Sequence, residues 1–240
     1  MTPMPVADHI HRDVVSYARR SARMNSAQQR AWDTYHDSWV LTVESGARAT
    51  SVSPDASVDW AATFGRRAPL MVEIGSGTGH AITGLARAHP EANLVAFEVF
   101  SPGVASTLGR LDRNGVTNVR MVVADGAQAL PVVFAEGSLT ELWTFFPDPW
   151  HKARHQKRRL VSPSLATIVA SRLRVGGIWR LATDWDDYAE AMLAVLDAEP
   201  GLVNCHDGWA PRYDLRPETK YERRGIEAGR TIHDLAFCRR

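Results

Sequence analysis

The run from Phe145 to Leu160 sets Asp148 between Pro147 and Pro149 and follows it with Lys152, Arg154, Lys157, Arg158 and Arg159. An apolar strand end delivers the carboxylate, and the two prolines restrict the backbone on both sides and fix where it points. A carboxylate at the mouth of a parallel sheet can orient a substrate. Cation density directly beyond it is what phosphate contacts require. Taken singly, Pro-Asp-Pro is ordinary turn chemistry and a charge run is usually a solvated helix face. Together at one strand end they imply an enzyme whose substrate is a nucleic acid. Trp150, in the same run, offers a stacking surface for a base or a core anchor.

A second constellation begins at Glu73-Ile74-Gly75-Ser76-Gly77-Thr78-Gly79, where an apolar strand turns into a helix. Glycines there tolerate positive φ and let the backbone approach a ligand. A dinucleotide fingerprint needs its third glycine at position 80, which is His80 here. The spacing is G-x-G-x-G with an acidic residue on the strand, the form seen in S-adenosylmethionine-dependent methyltransferases. Glu98 ends the next strand, where a carboxylate can accept from both hydroxyls of a ribose. Asp125 follows the third strand, within reach of an adenine amino group, and Glu73 would face the sulfonium side or the glycine loop. Each alone is more often a surface carboxylate or a helix cap; at successive strand ends they converge on one crevice. Asp184, in Thr183-Asp184-Trp185, ends the fifth strand and could accept from guanine N1–H and N2–H₂. Near the tail, Arg216-Pro217-Glu218-Thr219-Lys220-Tyr221-Glu222-Arg223 packs charges of both signs, which composition alone reads as a surface loop.

Positioning these groups requires an α/β framework. From Pro69 the pattern alternates strand and helix, the sign of a parallel sheet. Strands are expected at 70–74, 93–99, 119–123, 138–146 and 178–182, with helices at about 79–89, 102–114, 163–173 and 186–198. The tail is expected to return as antiparallel strands near 202–205 and 232–238, and a helix to follow Pro54 with Val58, Trp60, Ala61 and Phe64 on its apolar side. Residues 1–50 read as a basic, partly flexible N-terminal arm through Arg19, Arg20, Arg23 and Arg30; residues 51–240 form the catalytic domain. The chain has 240 residues, 45% hydrophobic and 23% charged, enough for one large domain with its own core. Net charge is only +1, which excludes a basic nucleic-acid coat and makes any polyanion site a local patch. Cys205 and Cys238 lack metal spacing and are expected to be inert thiols in a reducing cytoplasm. No apolar run approaches the roughly 20 residues of a membrane span, and the first residues lack a signal-peptide core. The reading is a cytoplasmic protein without a metal.

At these residues the chain closely resembles the bacterial tRNA (guanine-N(7)-)-methyltransferase family. The matching elements are Glu73 to Gly79, Phe97-Glu98-Val99-Phe100-Ser101-Pro102-Gly103, Phe146 to Leu160, Thr183 to Trp185, Arg216 to Gly225, and Arg23-Met24-Asn25-Ser26-Ala27-Gln28-Gln29-Arg30. The resemblance implies a Rossmann-like class I S-adenosylmethionine-dependent methyltransferase fold: a mostly parallel seven-stranded sheet with an antiparallel C-terminal strand. It implies that Glu73, Glu98, Asp125 and Asp148 contact the methyl donor S-adenosyl-L-methionine, with Gly75, Gly77 and Gly79 forming the loop against it, and that Asp148 holds the catalytic position. Lys152, Asp184, Thr219, Lys220, Tyr221 and Glu222 would bind the tRNA, with Arg154, Lys157 and Arg158 clamping its backbone. A monomer is the expected state. The chain departs from the family at Ser76 and Thr78, where bulkier apolar residues are usual, at Phe100, where His is common, and at Tyr221, where Phe is common.

Overall fold

The computed structural model describes residues 15–17, 22–48 and 50–240; Arg19 and Arg20 of the basic arm lie outside them. The strands are β1 (Leu70–Ile74), β2 (Asn93–Phe97), β3 (Val119–Val122), β4 (Leu139–Phe145), β5 (Leu173–Thr183), β6 (Leu202–Asn204) and β7 (His233–Arg239), of which β1 follows Pro69 and runs into Gly75. They form one sheet in the order β3-β2-β1-β4-β5-β7-β6. Neighbours from β3 to β5 pair in parallel, and β7 enters antiparallel between β5 and β6. This is a class I methyltransferase sheet, mostly parallel with one antiparallel strand. Strand order reverses at β1, and in such sheets ligands bind outside the carboxyl ends of the strands at that switch point.

Both faces of the sheet are covered, so β1 and β2 are buried along their whole length. On one face α3 (His80–Ala88) and α4 (Ser101–Arg113) pack Ile82, Leu85, Val104, Leu108 and Leu111 onto Met71, Leu94, Ala96 and Trp143. On the other, α5 (Gly126–Val133), α6 (Pro163–Arg172) and α7 (Asp186–Asp197) pack Leu130, Val169, Tyr188 and Met192 against Val72, Val95, Trp179 and Leu181. The helix expected after Pro54 is the five-residue α2 (Trp60–Phe64), whose Trp60 stacks on Phe134 at 4.9 Å. The last helix, α8 (Lys220–Glu227), falls inside the segment that composition reads as a surface loop.

The structure also departs from the sequence expectations in the arm, at β5 and at the two cysteines. The arm contains α1 (Ser26–Trp39), opened by a capping box in which Asn25 and Gln28 each accept the other's backbone N–H at 2.9 and 3.0 Å. Gln28 Nε2 also donates to the Pro102 carbonyl, Tyr35 donates to Asp112, and Leu41 N–H donates to Met121 of β3. The N-terminal segment from 25 to 41 is therefore packed on α4 and the sheet. The strand expected at 178–182 starts earlier, because Leu173 already pairs with Leu139 and the Gly176-Gly177 pair is absorbed as an irregularity within β5. Cys205 and Cys238 are not thiols: they form a disulfide with Cα atoms 5.8 Å apart, a correction to the expectation. Antiparallel pairing of β6 with β7 brings together two residues 33 apart in sequence, which spacing alone does not reveal. Among the described residues no helix is long and apolar enough to cross a membrane.

Candidate active site

A cavity of about 380 Å³ opens at the switch point. Its wall takes Gly75 to Thr78 from the turn after β1, Phe97 to Phe100 after β2, Ala124 to Gly126 after β3, and Phe145 to Asp148 after β4. Four consecutive strand ends thus deliver Glu98, Asp125 and Asp148 to one crevice. Lys220 and Tyr221 of α8 close another side, and Ser16 and Tyr17 a further one.

The glycine loop is built for close approach. Gly75, Gly77 and Gly79 carry φ of +80°, +57° and +77°, the left-handed region that favours glycine. A Cβ at Gly79 would stand 2.5 Å from Thr107, so only glycine lets the loop lie against α4. Glu98 ties this loop to its own: Oε2 accepts Gly77 N–H at 2.7 Å and Oε1 accepts Phe100 N–H at 2.9 Å. A carboxylate oxygen has two lone pairs, so a backbone bond does not by itself exhaust its accepting capacity. Asp125 is the N-cap of α5, accepting Ala127 N–H at 3.0 Å, so the cap and the ligand readings of this residue coexist. Burial pushes its carboxyl up, against the lowering effect of the Ala127 and Gln128 N–H groups. Ser76 Oγ is buried in the wall and has no hydrogen-bond partner among the described residues.

Glu73 lies elsewhere. It alternates onto the α3 face, is 3% exposed, and is absent from the cavity wall. Burial first, and then the charge of Glu98, raise its pKa to about 8, opposed by a hydrogen bond from Ile82 N–H. It is a mostly protonated carboxyl underpinning the glycine loop rather than facing the crevice.

The Asp148 arch is held in an unusual backbone. Phe146 and Trp150 have φ of +52° and +45°, the left-handed region where bulky side chains are rare. Phe146 N–H donates to Ala182 at 2.8 Å, and Arg159 Nε donates to the Pro149 carbonyl at 3.0 Å while its guanidinium lies over Tyr188. Behind the arch, Arg216 is wholly buried with its guanidinium 5.1 and 5.6 Å from the Phe145 and Phe146 rings. It donates to Asp234 of β7 and to Glu222 of α8, which also receives Arg212 at 2.7 Å. Burial pushes the Glu222 carboxyl up, but the Arg212 and Arg216 guanidinium groups together outweigh it and hold the group below the usual carboxylate range.

The sequence-expected tRNA contacts therefore divide. Lys152, Arg154 and Lys157, on and before the 3₁₀ turn Ala153–Arg158, are exposed. Arg158 turns inward and stacks 3.7 Å over Trp150. Asp184 is paired with Arg230 at 2.8 Å and lies outside the cavity wall. Thr219 Oγ1 caps α8 by accepting Glu222 N–H, Lys220 and Tyr221 face the cavity, and Glu222 sits in the buried network. The sequence reading missed Arg216, Asp234 and Arg212, whose pairing is visible only once β7 and α8 are in place. Among the described residues no group of three His, Cys, Asp or Glu side chains could hold a metal ion.

Comparison with known proteins agrees with this geometry. Residues 67–235 match a family model described as "Putative methyltransferase". A tRNA (guanine-N(7)-)-methyltransferase of Cutibacterium acnes is 52% identical over 97% of this chain and 85% of its own length. One from a Nocardioides species is 49% identical over 95% and 88%. Among solved structures, the 16S rRNA methyltransferase KamB covers 83% of this chain and all of its own at a TM-score of 0.56 with 16% identity. A 16S rRNA (adenine(1408)-N(1))-methyltransferase from Catenulisporales acidiphilia, solved with its cosubstrate, reaches 0.54 with 17% identity over 83% of this chain and 96% of its own. At that identity the likeness establishes the fold.

Proposed function

The chain belongs to the tRNA (guanine-N(7)-)-methyltransferase family, and from that premise we propose how its own residues carry out methyl transfer to N7 of a guanine in the tRNA variable loop. The observation that supports this most directly is one cavity wall made of the glycine loop, Glu98, Asp125 and Asp148, with Lys152, Arg154 and Lys157 exposed just beyond Asp148. S-adenosyl-L-methionine supplies an electrophilic methyl group on a sulfonium. Glu98 has the two acceptor oxygens a ribose diol needs, Asp125 the acceptor for an adenine amino group, and Ser76 an unpartnered hydroxyl.

Guanine N7 carries an in-plane lone pair, so no proton has to be removed before attack. The protein's task is alignment, and proximity can lower such a barrier by several kcal/mol. Asp148, fixed in its arch, orients donor and base, and its charge favours the positive charge that develops on the methylated ring. Asp184, carried on Arg230, is the acceptor for the Watson–Crick edge once the base has left its stack. Lys152, Arg154 and Lys157 engage backbone phosphates, and Lys220 and Tyr221 border the entry. The reading is of a cytoplasmic, monomeric enzyme.

Mass spectrometry of tRNA nucleosides after incubation with enzyme and donor tests substrate, atom and reaction together. The expected product is 7-methylguanosine, lost in Asp148→Ala with the fold intact. A methylated nucleoside of another kind, or near-normal turnover by that variant, would overturn the assignment.

A further inference from the structure

The segment at residues 15–17 is bound across the cavity from both sides. On the arch side, Arg158 Nε donates to the Val15 carbonyl at 2.9 Å and Nη2 to the Tyr17 carbonyl at 2.6 Å, while Trp150 Nε1 donates to the Ser16 carbonyl at 2.8 Å. The Arg158 guanidinium carbon lies 3.7 Å from the Trp150 ring centroid, and one fork and one indole grip three consecutive carbonyls. On the opposite side, Tyr17 OH shares a 2.6 Å hydrogen bond with Thr50 Oγ1, and the Thr50 carbonyl accepts Asp125 N–H at 2.7 Å. The segment is thus joined to the adenine-side carboxylate and to the Asp148 arch, and Ser16 and Tyr17 form part of the cavity wall between them.

Resting on the methyltransferase reading above, we propose that Arg158 and Trp150 are positioning residues that latch residues 15–17 in place as a wall of the donor cavity. Arg158 acts through the segment it holds, and its charge is spent inside the protein rather than on a tRNA phosphate. A backbone carbonyl can be gripped whatever the side chain, which suits a latch whose bound segment contributes only Tyr17 and Ser16 to the wall. The run of five cations then carries three tasks: Lys152, Arg154 and Lys157 face solvent, Arg158 holds the N-terminal segment, and Arg159 holds Pro149 and Asp187.

The test is donor affinity measured calorimetrically on the full chain without tRNA, so a failed tRNA assay leaves it intact. Arg158→Gln is expected to weaken S-adenosyl-L-methionine binding at least about tenfold, the scale of losing two charge-assisted hydrogen bonds to an ordered segment. Its KM for donor rises, and the salt dependence of tRNA binding is unchanged. Arg158→Lys, which keeps the charge but not the planar fork, recovers little of the donor affinity. Arg154→Gln gives the opposite pattern: normal donor affinity with weaker, less salt-dependent tRNA binding. An Arg158→Gln protein that behaves like Arg154→Gln would make Arg158 a phosphate contact and overturn the latch. Should Arg158→Gln fail to fold, Trp150→Phe carries the test, because it keeps an aromatic ring under the guanidinium and removes the indole donor to Ser16. A donor affinity within twofold of wild type in Trp150→Phe would equally overturn it.

Discussion

Glu98→Gln separates ligand recognition from loop tethering. The two Glu98 oxygens accept Gly77 N–H and Phe100 N–H at 2.7 and 2.9 Å. Glutamine offers one oxygen and one NH₂ group, so whichever way it turns, one backbone N–H meets another donor. The variant loses one charge-assisted hydrogen bond of roughly 1.5–3 kcal/mol and weakens the acceptor offered to a ribose diol. Donor affinity, measured by calorimetry, is expected to fall by about 100-fold, the equivalent of about 2.7 kcal/mol. Stability should fall less, by about 1 kcal/mol, because both N–H groups lie at the cavity wall, where water can replace the lost acceptor. Glu98→Ala lets that water in, so it should unfold no earlier than Glu98→Gln despite removing more atoms. A Glu98→Gln protein with donor affinity within threefold of wild type, or one markedly more stable than Glu98→Ala, would refute the two-oxygen tether.

Arg216→Met leaves Glu222 and Asp234 buried without their shared cation, and breaking such a pair costs about 3–5 kcal/mol, to be read from urea unfolding; a loss below about 1 kcal/mol would show the network to be dispensable. Neutralising Lys152, Arg154 and Lys157 together should lower the slope of log affinity for tRNA against log salt by about 2, with donor affinity unchanged; an unaltered slope would remove these cations from the phosphate contacts. Glu73 keeps its proton in the native state up to about pH 8, whereas the unfolded chain releases it near 4.5. Native stability from this group is therefore full below 4.5 and falls as pH rises toward 8, by at most about 1.4 kcal/mol per unit. Glu73→Gln cannot titrate, so its unfolding free energy should be flatter across that window and exceed wild type above it; parallel curves would refute a raised Glu73.

The strand ends were legible because each is a short apolar run closed by glycine, proline or an acidic residue, and the parallel order converges those closures on one crevice. That order places Asp148, Glu98 and Asp125 on one cavity wall. What escaped depends on which face a residue turns to. Glu73 shares a strand with the crevice but alternates onto the α3 face. The five cations after Asp148 look equivalent in sequence, yet the 3₁₀ turn points three outward and Arg158 and Arg159 in. The segment around Arg216 reads as a solvated loop because its charges are counted before their partners are known; Asp234 arrives only with the antiparallel β7. In α1 no residue is fully buried, so hydrophobic periodicity was faint, although Asn25 and Gln28 at capping-box spacing carried the signal. α5 was hidden by Pro131 within its eight residues.

The backbone around Asp148 explains why so much positive charge is placed inside the protein. Among the described residues only Phe146 and Trp150 are non-glycine residues with positive φ, and they flank the Pro-Asp-Pro arch symmetrically. Each such conformation costs about 1–3 kcal/mol and persists only where its surroundings over-determine it. Here three guanidinium groups contact the arch at three points. Arg216 backs the Phe146 ring, Arg159 holds the Pro149 carbonyl, and Arg158 lies over Trp150. Glycine at 146 or 150 would relieve the strain but free the turn, and Asp148 would then sample many directions where the proposed transfer needs one. Alignment is the main task when the nucleophile already presents its lone pair. On the proposed mechanism the fold accepts local strain beside the carboxylate that orients donor and base, and uses arginines to maintain it.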